Sequence, residues 1–321
     1  MNRSIPIIVF GAGSIGERHI INLLNLGYEN IHVYRQRNLP FREVPENSVK
    51  IILDKDQIPG MNFEVALICT PSSQHLEQTM FCLQNNMHVF VEKPLSHNLE
   101  HFNELKELIS SSNKCLHVAY MMRFHPLIIK IKKHIEENTF GGLLSFHTHW
   151  GSNLANWHYW ENYQNSYAAR KDLGGGVALT LSHDIDLVNW LVDSPVKSYS
   201  KEFSNYDMFN IDVESVADFL IHYENGVSGH VHLNYLEHVP KRRYDFIFEN
   251  ATLEFEFFNS ELKILTKHNI EFIRVDNFDR NDLFISELRF FLDLIYNKDD
   301  FTQHSIEQIE ESEVIVNMCS N

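Results

Sequence analysis

Short apolar runs alternate with longer amphipathic stretches over the first part of the chain. Ile5–Phe10, Ile31–Tyr34, Val49–Leu53, Val65–Cys69, Met87–Val91 and Cys115–Ala119 are brief and almost wholly apolar, as strands buried on both faces are. Between them, Ile15–Leu26, Gln74–Asn85 and Asn98–Ser112 repeat apolar residues at helical spacing, with Leu76, Met80 and Leu83 on one face and Phe102, Leu105 and Ile109 on another. Ser72 or Ser73 can cap the second of these helices. Strand and helix in strict alternation predict a parallel, doubly wound α/β sheet.

After Tyr120 the pattern changes. A helix is predicted over about Pro126–Glu137, and Leu143–Trp150 alternates as a strand does. An aromatic loop from Asn153 to Arg170 holds Trp157, His158, Tyr159, Trp160, Tyr163 and Tyr167. Gly174-Gly175-Gly176 then opens a helix over about Val177–Val192. Val213–Tyr223 and Val227–Tyr235 flank Asn225-Gly226, a hairpin signal. Tyr244–Phe248 with Thr252–Phe258, and Glu261–Thr266 with Ile270–Val275, read as two more hairpins. Helices near Asp282–Tyr296 and Ser305–Met318 follow. The reading is a second, α+β domain with a mostly antiparallel sheet, giving domains at 1–121 and 122–321.

Composition narrows the classes. The chain has 321 residues and a formal charge of −16, which argues against a nucleic-acid surface. No apolar run is long enough to span a bilayer, and Asn2-Arg3-Ser4 leads straight into a strand rather than a signal peptide. Cys69, Cys82, Cys115 and Cys319 lack metal or redox spacing and read as free thiols in a reducing, cytoplasmic setting. His147 with His149, and His230 with His232, share strand faces; no tight ligand motif accompanies them, and no metal is expected.

The first turn carries the strongest chemistry. Gly11-Ala12-Gly13-Ser14-Ile15-Gly16 follows a strand and opens a helix. Gly11 permits the tight turn, Gly13 lets the backbone approach a pyrophosphate, and Gly16 lets helix and strand pack closely. The N–H groups at Ser14 and Ile15 would face the phosphates. A site preferring NAD usually places Asp or Glu at the end of the second strand; here stand Arg35 and Arg37, which can pair with a 2′-phosphate. NADP is therefore favoured over NAD. Thr70-Pro71 and Glu92-Lys93-Pro94 follow later strands, where ligands of open α/β sheets bind.

Taken together these residues resemble the Gfo/Idh/MocA family of nicotinamide-dependent oxidoreductases. The likeness runs through Gly11-x-Gly13-x-x-Gly16, Thr70-Pro71 with His75, Glu92-Lys93-Pro94, then Tyr120, Arg123, Phe124 and Pro126, the Gly174–Gly176 run, and His183 with Asp186. It implies a Rossmann domain followed by an open-faced α+β domain that binds substrate and forms homodimers or homotetramers through its sheet. It also implies hydride transfer between nicotinamide and a ring carbon of a sugar, inositol or nucleotide sugar. The stretch from Trp157 to Asp186 looks like a branch tied to surface-sugar pathways. Thr70, Pro71, His75 and Glu92 would join the glycines around the cofactor.

Lys93 matches the family's catalytic lysine and can donate a proton to the reacting oxygen. His183 matches the second-domain histidine, which titrates near neutrality. Asp186 could orient that ring or meet substrate. The family pattern has an aspartate about one turn before the histidine, where this chain has Leu179 and Thr180. Either Lys93 and His183 act as a pair, with Thr180 giving a hydroxyl, or Asp184 turns inward. Trp157, Tyr163, Tyr167 and Arg170 can wall the substrate or serve as packing, and Arg123 can reach a ligand or tie the domains together. Besides a dehydrogenase, two readings stay open: a redox-neutral epimerase or lyase with tightly held cofactor, and a cofactor-binding sensor.

Overall fold

Six parallel strands make the first sheet: β1 (Ile7–Phe10), β2 (Ile31–Tyr34), β3 (Lys50–Ile52), β4 (Val65–Ile68), β5 (His88–Glu92) and β6 (Leu116–Ala119), in the order β3-β2-β1-β4-β5-β6. The connecting helices are α1 (Ser14–Asn25), α2 (His75–Gln84) and α3 (Phe102–Ser112). The computed structural model describes residues 3–157, 160–297 and 300–320. All residues of β1, β4 and β6 are buried, as their unbroken apolar runs require. Two local expectations change. Helix α2 has no side-chain cap and is preceded by a 3-10 turn over Ser72–Gln74, and α3 starts only at Phe102, after His101 in a left-handed conformation.

The second sheet follows α4 (Pro126–Glu136). It comprises β7 (Leu143–Gly151), β8 (Val196–Ser204), β9 (Val216–Tyr223), β10 (Ser228–Asn234), β11 (Lys241–Phe248), β12 (Ala251–Glu256), β13 (Glu261–Thr266) and β14 (Ile270–Arg274). Their order is β14-β13-β12-β11-β7-β10-β9-β8. Every neighbouring pair is antiparallel except β7 with β10. The Asn225-Gly226 turn does join β9 to β10, with Gly226 at φ +91°. Strand β8 is an addition to the sequence reading: its Lys-Ser-Tyr-Ser-Lys-Glu pattern lacks an apolar face because it is an edge strand.

One face of this sheet is aromatic and buried, with Phe146, Phe219, Tyr244, Phe246 and Phe255 fully enclosed. Burying each ring is worth about 2–3 kcal/mol. The other face is polar, and there the expected histidine pairs meet: His147 lies opposite His230 and His149 opposite His232. His230 and His232 both point at Asp218 Oδ1, at 3.0 and 2.7 Å, and His149 meets Glu237 at 2.9 Å. Among the described residues no group of histidine, cysteine and carboxylate side chains is arranged to hold a metal ion. No helix among them is long and apolar enough to cross a membrane.

The chain divides into two compact units, and the division departs from the sequence reading. The first is Met1–Ala119 with Phe284–Asn317; the second is Tyr120–Leu283 with Met318–Asn321. Most of α7 (Asn281–Asn297) and α8 (Thr302–Cys319) thus belongs to the parallel-sheet unit rather than to a domain spanning 122–321. The reason is packing. Leu288, Phe291, Leu292 and Phe301 join the core of Val9, Val33, Leu67 and Phe90. In addition, Ser305 Oγ and Gln308 Oε1 of α8 accept the outward N–H groups of Leu116 and Val118, at 2.9 and 3.0 Å. Those two donors lie on edge strand β6, and the helix closes that edge.

Candidate active site

In the first unit, β1, β4 and β5 lie side by side in register, so Gly11, Thr70 and Lys93 leave the same carboxyl edge of the sheet. Gly11 has φ +88°, and a Cβ there would lie 2.8 Å from Cys69 O. A Cβ on Gly16 would lie 2.3 Å from Gly11 O, so the helix start is pressed against the turn. Gly13 is different: a Cβ there would meet nothing within 4 Å. Gly13 is the N-cap of α1 and, lacking a side chain, offers no cap of its own to the N–H groups that follow at Ser14 and Ile15. The turn therefore has open space at the start of a helix, where the first N–H groups have no intrahelical partner, and this fits a pyrophosphate.

Around this edge the other expected residues take definite roles. Thr70 Oγ1 donates to Gln78 Oε1 at 2.7 Å. Pro71 is half-buried and ends the strand segment. His75 is buried, with Nδ1 2.7 Å from Pro94 O and Nε2 2.7 Å from Thr70 O. Only a protonated ring can donate to both carbonyls at once. Burial lowers its pKa, so the neutral ring donates to one of the two. Either way the imidazole ties the end of β4 to the segment that carries Lys93. Glu92 accepts from His19 Nε2 at 2.8 Å, an internal pair that anchors α1 to β5. Lys93 is half-buried and is joined to Pro94 by a cis peptide bond.

The arginines after β2 differ from each other. Arg35 donates from Nη2 to Asn38 Oδ1 at 2.8 Å and lies 4.4 Å from the Phe41 ring centroid, whereas Arg37 is exposed.

In the second unit the predicted long helix is broken. Helix α5 (Val177–Thr180) ends at Leu181, and α6 (His183–Val192) starts anew, which puts His183 at the first position of a helix. Glu214, which sequence reasoning did not select, accepts the Ala178 N–H at 3.1 Å and caps α5. A Cβ on Gly176 would lie 2.3 Å from that carboxylate. The second glycine run is thus a close-packing device for a capped helix.

The aspartates are already engaged. Arg123 forms a two-point pair with Asp186, Nε to Oδ2 at 3.0 Å and Nη2 to Oδ1 at 2.5 Å. Asp184 Oδ2 accepts from Arg242 Nη2 at 2.6 Å, and both residues are almost fully buried. Asp186 thus carries Arg123, Arg123 pairs within its own unit, and Asp184 turns inward, toward Arg242. Thr180 is buried, and the nearby Tyr235 hydroxyl donates to Ala168 O at 3.3 Å. Asp184 was legible as a chemistry-bearing residue, but its partner lies far along the chain.

The aromatic loop is tied mainly to residues outside it. Trp157 Nε1 donates to Ser152 Oγ at 3.0 Å, and its ring stands edge-on to Tyr235. Tyr163 donates to Phe209 O at 3.1 Å. Arg170 is exposed and paired with Asp172 at 2.6 Å. Tyr167 is half-buried. His158 and Tyr159 lie outside the described residues.

Comparison with known proteins places this geometry in a family. Residues 5–120 match the oxidoreductase family with NAD-binding Rossmann fold (GFO_IDH_MocA), and residues 128–254 match the GFO/IDH/MocA C-terminal domain. The chain belongs to that family. It is 30% identical to levoglucosan dehydrogenase of Pseudarthrobacter phenanthrenivorans over 137 residues, covering 42% of this chain and 34% of that protein. It is 23% identical to scyllo-inositol 2-dehydrogenase (NAD(+)) of Bacillus subtilis over 216 residues, covering 62% and 57%. The chain spans from about a quarter to a little over half the length of the curated relatives it matches. Among solved structures, levoglucosan dehydrogenase in complex with NADH superposes with a TM-score of 0.83 at 17% identity, covering 98% of this chain and 95% of that one. That likeness shows the fold.

Proposed function

We propose that this family member is an NAD(P)-dependent dehydrogenase or reductase acting on a ring CH–OH of a sugar or nucleotide sugar. One observation carries the reading: the turn at Gly13 is open where Gly11 and Gly16 are closed, and Lys93 leaves the same sheet edge two strands away. The nicotinamide supplies or accepts the hydride. Gly11, Gly13 and Gly16 shape the phosphate cradle. Lys93 moves the proton on the reacting oxygen, and its cation holds developing negative charge there. His183 is the second proton-handling group. Arg123, Asp184 and Asp186 act on substrate indirectly, through the ion pairs that fix the helix carrying His183.

The relatives named for inositols and levoglucosan support a cyclic polyol as the substrate class. Arg35 and Arg37, with no carboxylate at the end of β2, support a preference for NADP. The polar face of the eight-stranded sheet supports self-association, which light scattering checks. Four buried cysteines, none of them in a disulfide, agree with a reducing cytoplasm.

The test is Lys93→Ala assayed with NADH and NADPH against sugars, inositols and nucleotide sugars, the last class testing the surface-sugar expectation. Cofactor affinity should hold within about twofold while turnover drops by roughly a hundredfold or more. Turnover that survives unchanged removes Lys93 from the chemistry. Tighter binding of NADH than of NADPH by the unaltered protein would reverse the cofactor preference.

A further inference from the structure

His183 packs against two aromatic rings. Tyr120 stands edge-on to it, with centroids 5.8 Å apart at 81°, and Trp150 lies 6.3 Å away at 38°. Each ring is backed by an arginine. The Arg242 guanidinium carbon is 3.9 Å from the Trp150 centroid, and that of Arg123 is 5.9 Å from Tyr120. Each arginine is bound to an aspartate of α6, the helix that His183 begins: Arg242 to Asp184, Arg123 to Asp186. The histidine, the rings packed against it and the charges behind those rings thus form two closed circuits through one helix start.

The two circuits are not equal. Arg242 is 1% exposed, and its Nε also donates to the Tyr244 hydroxyl at 2.6 Å. Its stacking distance on Trp150 is that of direct contact, whereas Arg123 stands farther from Tyr120. A planar guanidinium can bond a carboxylate at its edge and a ring on its face together; an ammonium cannot. Asp184 in turn is fully buried and lies next to His183 in the chain.

We propose that Arg242 is a positioning residue, which holds the His183 ring in place by stacking on Trp150 and gripping Asp184. It supplies from the sheet the orientation that a carboxylate one turn before the histidine would otherwise give. Its effect on turnover rests on the reading of His183 as a proton-handling group; its effect on the ring does not.

The two parts separate by experiment. Arg242→Lys keeps the charge and loses the planar stack; Trp150→Phe keeps the Arg242–Asp184 pair and shrinks the ring. The aromatic carbon-bound proton signals of the histidines are recorded in the full-length protein, with His183 assigned by its loss in His183→Gln. In either variant the His183 signal should shift or broaden while those of His88 and His268, elsewhere in the structure, stay put. The turnover number should fall about tenfold to a hundredfold with KM and cofactor affinity nearly unchanged. Should Arg242→Lys fail to fold, Trp150→Phe decides alone. An unmoved His183 signal in a folded variant overturns the proposal. A moved signal with unaltered turnover supports the positioning and removes His183 from the chemistry instead.

Discussion

Replacing Gly13 by alanine separates cofactor recognition from folding. The glycine has φ −76° and ψ −170°, a conformation open to any residue. A methyl group there touches no protein atom within 4 Å. Unfolding free energy should therefore change by no more than about 0.5 kcal/mol, a small helix-cap cost being offset by a stiffer unfolded chain. Gly16→Ala is the contrast, because its methyl would lie 2.3 Å from Gly11 O and must push backbone aside. Overpacking of that kind costs about 1–3 kcal/mol. The Gly13 methyl group would stand where the proposed function puts the pyrophosphate, at the start of α1. Losing one charge-assisted bond of about 1.5–3 kcal/mol weakens binding by roughly 10-fold to 150-fold. Urea denaturation and fluorescence titration of NADH and NADPH read the two quantities independently. Gly13→Ala that binds both cofactors as the parent does would refute the placement of the phosphates. Gly13→Ala as unstable as Gly16→Ala would refute the loop geometry.

Two further outcomes follow from packing and charge. Ser305→Ala and Gln308→Leu each strand a buried N–H on β6 and should cost about 1–3 kcal/mol in urea, whereas Gln303→Ala, exposed on the same helix, should cost under about 0.5 kcal/mol. His125 caps α4 by accepting the Leu127 N–H on Nδ1, and burial lowers its pKa from 6.5 to about 4. The folded protein thus binds fewer protons than the unfolded chain below pH 6.5. Its contribution to stability is complete above that pH and is lost, at up to about 1.4 kcal/mol per unit, as pH falls towards 4. His125→Asn should flatten that slope in denaturant midpoints between pH 6.5 and 4.5, and an unchanged slope would assign it to other groups.

Local signals were the legible part of the molecule. The Gly11–Gly16 turn, the strand ends at Thr70 and Lys93, and the Asn225-Gly226 hairpin each announce themselves within a few residues, because their geometry needs particular backbone chemistry. The break between α5 and α6 was not legible, since Val177–Val192 keeps helical periodicity across it. The partners of Asp184 and Asp186 were hidden for another reason: Arg242 and Arg123 come from distant elements, and nothing in local spacing ties them to the helix. Strand β8 escaped because an edge strand needs no apolar stripe. The role of α7 and α8 escaped because an amphipathic helix shows that it has a core to cover but not which one.

That return of the chain has a consequence for biosynthesis. When a ribosome has made residues 1–119, the parallel sheet still lacks the apolar side chains of Leu288, Phe291 and Phe301, and β6 presents two bare amide donors. The intervening unit is almost one continuous segment, Tyr120–Leu283, and has nearly all its parts while the earlier-made unit is still waiting. Order of completion is thus the reverse of order of synthesis. A nascent chain stalled before Phe284 would carry an uncovered strand edge, the kind of surface that chaperones retain and neighbouring chains pair with.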